Sequence, residues 1–178
     1  MKDVTSTSFG LVIAFFLPGL AALYSLCYWS SSVDQIFKTF LTTESNVGLF
    51  LLVVAAAVII GLQITLVRWL LFEFWLCRSQ KIESSFFKKL GTDEICLVAF
   101  RAVVDEHYRY HQFWGGICIV LPVFVVGWLR ESWDTLASWQ IVLTIIVFVS
   151  GELLTGWAAA VAYQLYSTRT KKILDGGE

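Results

Sequence analysis

One carboxylate stands apart. Glu152 is the only charged residue between Thr135 and Thr168. An acid inside hydrocarbon is costly, so it must face protein or a water-filled path. Ser150, Gly151, Thr155 and Gly156 surround it, and small residues let helices approach closely, within one chain or between copies. Two chemistries remain open for Glu152. It is a pore-lining or gating carboxylate, or a protonated, hydrogen-bonded structural acid. Gln63 is a second polar residue in an apolar stretch, read either as a pore group or as packing glue near the inner end of its helix.

A second cluster is His107-Tyr108-Arg109-Tyr110-His111. The two histidines are four apart and share a helix face, but a metal site needs a further ligand. Asp105 and Glu106 are expected to point elsewhere, so no metal is expected. Arginine with aromatic rings could stack on and neutralise a nucleotide or short nucleic acid. The alternative is an aromatic belt where a helix enters the bilayer. Arg68-Trp69 closes an apolar run, as a ligand contact or as an anchor snorkelling to the interface. Arg78, Lys81, Lys88, Lys89 and Arg101 complete the basic set of this region, which could face anionic lipid or an anionic ligand. Six acids between Glu73 and Glu106 nearly balance it.

These residues need elements to hold them. The 178-residue chain is 57% hydrophobic and 15% charged, against about 25% charged in a soluble domain. Residues 4–33, 45–67 and 110–129 carry no Asp, Glu, Lys or Arg, and 135–168 only Glu152. Each run can span a hydrocarbon core, and there each must be a helix. The expectation is an all-α, four-span membrane protein with helices at about 9–29, 47–67, 111–129 and 139–166. A kink is expected at Pro18-Gly19, and a short polar loop at 30–46. The second helix can run on past Arg68. Residues 68–110 form a helical cytoplasmic segment, with Thr92 as a helix cap and a helix leading through Arg109 into the third span. Glu152 then lies near mid-bilayer, about 20 Å along its helix at 1.5 Å per residue.

Eleven of the thirteen Lys and Arg fall on one side of this arrangement, with only Lys38 and Arg130 on the other. The positive-inside rule places both termini and residues 68–110 in the cytoplasm. The apolar stretch at 9–29 is too long, and its amino end too weakly basic, for a signal peptide. The four cysteines (Cys27, Cys77, Cys96, Cys118) form no CxxC pair, so neither a disulfide framework nor a metal knuckle is expected. No HExxH, GxSxG or phosphate-binding glycine loop is present, so neither enzymatic activity nor a cofactor is expected.

Three segments resemble a family of small bacterial inner-membrane proteins. They are Phe9-Gly10-Leu11 with Leu17-Pro18-Gly19, Arg68-Trp69, and His107-Tyr108-Arg109-Tyr110 with Gln112-Phe113. In size and topology the chain also looks like the membrane effectors of anti-phage systems such as those called Hailong and Kiwa. That resemblance implies a homo-oligomer in the inner membrane, controlled by a cytosolic partner or ligand and depolarising the membrane on infection. The resulting expectation is a homo-oligomeric ion channel, a tetramer by preference. Its control would come from a nucleotide, oligonucleotide or protein partner. The alternative is a non-conducting anchor that recruits a cytosolic partner.

Overall fold

The structure, a computed structural model, describes residues 10, 12–42, 47–76 and 94–175. Every regular element among them is a helix. Helix α1 (Val12–Leu26) opens with a π-helical turn, Val12–Phe16, and continues as an α-helix from Leu17. The irregularity expected at Pro18-Gly19 therefore falls just ahead of the proline. Pro18 sits in the first turn of the α-helical part and, lacking an N–H, returns no hydrogen bond to the π-helical turn before it. Helix α2 (Ser31–Thr42) follows, turned by 118° from α1. Helix α3 (Val47–Arg68) continues as a π-helical stretch, Trp69–Leu76. Helix α4 (Glu94–Ser132) is one 39-residue helix containing a π-helical segment, Val104–Tyr108. Helix α5 (Ser138–Asp175) has 38 residues.

Helices α3, α4 and α5 are each long and apolar enough to cross a membrane, and α1 with α2 adds a fourth crossing only if the bent pair counts as one. The polar loop expected at 30–46 is largely α2. Its Val33, Ile36, Phe37, Phe40 and Leu41 repeat at three- and four-residue spacing, which is amphipathic helix periodicity. Phe37 meets Tyr24 at 5.7 Å between ring centroids and Phe40 meets Phe50 at 6.4 Å. Lys38 binds Asp34 one turn back at 2.7 Å. The Thr92 cap lies outside the described residues, which resume at Glu94.

Backbone contact joins α1 to α3. A Cβ on Gly19 would overlap the Ala57 carbonyl, and one on Gly61 would overlap the Phe15 carbonyl. Helix α4 closes on this pair, with Gly116 against Pro18 and Gly127 against Tyr28 and Trp29. Near the C-terminal end of α1, Trp29 Nε1 donates to the Val123 carbonyl at 3.1 Å. Helix α5 runs antiparallel along α4. His111 meets Ala159, and seven residues further along α4 Cys118 meets Glu152, seven residues back along α5. Seven residues is two helical turns, the spacing that keeps one seam in register.

Candidate functional site

The C-terminal half of α5 carries a buried stripe at Ala159, Ala162, Tyr163, Ser167, Thr170 and Leu174. Steps of three and four residues put these side chains on one face, where they close the end of the bundle at which α3 finishes. Inside it lies Arg68, in the last turn of α3 and 1% exposed. Gly115 makes room for it, since a Cβ there would come within 3.0 Å of the Arg68 stem. The guanidinium carbon lies 5.8 Å from the Tyr108 ring centroid, within cation–π range. His111 is fully buried beside it. Its Nδ1 is 2.8 Å from the Ala159 carbonyl, an acceptor only, so Nδ1 carries the proton and donates. Phe72, Tyr108 and Tyr163 surround the imidazole at 5.9, 6.0 and 5.0 Å. Tyr166 extends the ring cluster from Tyr108 at 4.9 Å.

Two sequence expectations change here. Arg68 does not snorkel outward and, with His111, is closed off as a surface ligand contact. Rings on α3, α4 and α5 enclose both, and Gly115 gives Arg68 an inward place to lie. The three segments that carry the family resemblance also converge. Gly10 lies against the Arg109 guanidinium, Pro18 against Gly116, and Arg68 against Gly115 and Tyr108. Far apart in sequence, they form one inner-end assembly.

Outside the cage, α4 carries a charged collar. Arg109 Nε meets Asp105 Oδ1 at 2.6 Å, and the Arg109 side chain is 14% exposed. Arg169 donates to Glu106 at 2.9 Å, and His107 Nε2 lies 3.6 Å from the same carboxylate oxygen. Burial, helped by the Arg169 charge and opposed by Glu106, holds the His107 pKa below its usual 6.5. Asp105 and Glu106 thus pair with arginines. Among the described residues, no three His, Cys, Asp or Glu side chains converge as metal ligands. Arg101 and Tyr110 are exposed. Arg78, Lys81, Lys88 and Lys89 lie outside the described residues.

Glu152 turns toward α4, not away from the chain. Cys118 Sγ donates to its Oε2 at 3.1 Å, while its buried Oε1 has no hydrogen-bond partner. Thr155 is spent on the Gly151 and Glu152 carbonyls. Gln63 is exposed on α3 and does not join Glu152. Sequence reasoning missed Cys118, Phe72, Tyr163 and Tyr166. The usable signal was register. Once His111 faces Ala159, the antiparallel count puts Cys118 opposite Glu152.

No family model, curated protein or solved structure matches the chain.

Proposed function

We propose that this chain is an integral protein of the bacterial inner membrane with both termini in the cytoplasm, and that copies of it assemble into a cytoplasmically controlled ion channel. Three long apolar helices support the membrane assignment, and the Lys and Arg asymmetry supports the orientation. The observation that carries the channel reading is the Glu152 carboxyl. One oxygen is held by Cys118 and the other has no partner, within the apolar length of α5. Beside it the outer half of α5 is bare, with Leu153 70% and Leu154 64% exposed. Symmetric assembly through that half, as a tetramer by preference, would gather one carboxyl per copy near an axis, as acidic rings do in cation channels. A gated inner-membrane channel of this kind would serve as an anti-phage effector, the setting implied by the likeness in size and topology to such effectors.

A second reading rests on the same hydrogen bond. A Glu that only ties α5 to α4 would also accept from Cys118, and the chain would then be a non-conducting anchor for a cytosolic partner. Ion flux through purified protein in liposomes separates the two. Under the channel reading the wild type conducts and Glu152→Gln abolishes or reselects the current. Absence of flux from correctly inserted oligomers, with and without cytosolic nucleotide, would leave the anchor.

A further inference from the structure

Phe100, Arg101, Val104, Asp105 and Arg109 line a cavity of about 380 Å³ on the cytoplasmic arm of α4. Ligand sites commonly occupy about 300–1,000 Å³. Among the described residues its charged groups are two guanidiniums and one carboxylate, and that carboxylate holds Arg109 by Nε. The Arg109 side chain is also fixed from behind, since Gly10 lies against its guanidinium. Arg101 is exposed at the same cavity. Phe100 supplies an apolar wall and is itself braced by Tyr166 at 6.5 Å. One positioned and one exposed guanidinium on the same wall suit an anion with several acceptor oxygens. Arginine forks match phosphate geometry in particular.

We infer that this cavity is a binding site for a phosphate-bearing anion. The inference deepens the reading of a cytoplasmically controlled membrane protein and rests on it, by giving the control site a place and a ligand class. Two sources share the chemistry. Arg109 lies just before the third apolar stretch, at headgroup depth, so an anionic lipid can reach it. Arg101 lies further out and can meet a soluble phosphate.

The test needs no ion current, so its failure is separate from failure of the channel. Full-length protein in a maltoside detergent is titrated with inorganic pyrophosphate, with a short-chain phosphatidic acid, and with the matching phosphate-free diacylglycerol, following tryptophan fluorescence. The expected result is saturable binding of at least one phosphate probe and none of the diacylglycerol. Arg101→Gln should weaken that binding about tenfold, the loss of one charge-assisted hydrogen bond. Arg101→Lys should retain most of it. Binding of phosphatidic acid alone assigns the site to lipid, and binding of pyrophosphate as well assigns it to a soluble ligand. Absence of binding by both probes, or unchanged affinity in Arg101→Gln with an unchanged melting curve, overturns the inference.

Discussion

The two halves of α5 are made differently. From Ala159 to Leu174 the helix presents a buried stripe, in which Ala159, Ala162 and Tyr163 lie among the core residues. From Val142 to Trp157 it presents Val, Ile, Leu and Trp, most of them exposed, and its most apolar 18-residue stretch has no buried position. Greater hydrophobicity thus accompanies poorer packing within the chain. In water that would be a fault, but in hydrocarbon it is not, because lipid tails are as apolar as leucine and burial gains little. What holds helices together there is close fit and polar contact. Along α5, the ring cluster and the Arg68–His111 cage gather at the Ala159–Leu174 half, whereas the other half makes the Cys118–Glu152 contact.

That contrast can be broken experimentally, and the largest effect should come from the cage. Arg68 heads the fully buried side chains by volume. Arg68→Ala should lower stability by about 4 kcal/mol, as large-to-small changes in packed interiors do, read by thermal melting in detergent. Arg68→Met keeps the volume without the charge and should stay within about 1.5 kcal/mol of wild type. If Met proves as damaging as Ala, the charge and not the volume is the structural element.

A smaller effect should separate the two halves of α5 directly. Ala159 is fully buried under His111, so Ala159→Leu should overpack the seam and cost about 2 kcal/mol. Leu153, 70% exposed in the outer half, should tolerate Ala within about 0.5 kcal/mol. Equal sensitivity would show that a second copy, not lipid, covers the outer half.

The smallest effect concerns pH. The His107 pKa lies below 6.5 in the folded chain, so the unfolded chain binds the proton more readily. The stability this group contributes is present above about pH 6.5 and is lost as pH falls toward the folded value. The melting temperature should be lower at about pH 5.5 than at about pH 7.5, and His107→Gln should narrow the gap. An unchanged gap would assign the pH dependence to other groups.

Much of the fold was legible because charge-free runs leave few options. The long apolar helices α3, α4 and α5 cover the second, third and fourth charge-poor runs, and α4 runs on from Glu94 through the third of them. Helix α2 was missed because Asp34, Lys38 and the serines made residues 30–46 look like a loop, although the three- and four-residue spacing of Val33, Ile36, Phe37 and Phe40 was there to see. The site was harder to read. Types and spacing singled out Arg68, His111 and Glu152, but not what each faces. A terminal arginine reads as snorkelling until the Gly115 position that admits its stem is known to lie opposite. Nothing local marks Cys118 as the partner of Glu152, because that pairing follows from how two helices are threaded past each other.

The same threading has a mechanical side. The imidazole on Ala159 and the thiol on Glu152 are two teeth of one rack, seven residues apart on both helices. Neither tooth can be disengaged by sliding α5 while the other stays meshed. A slip of one turn, about 5.4 Å, would strip both at once. The ring cluster at His111 and the Glu152 carboxyl are therefore geared together, so a shift of α5 along α4 that frees one frees the other.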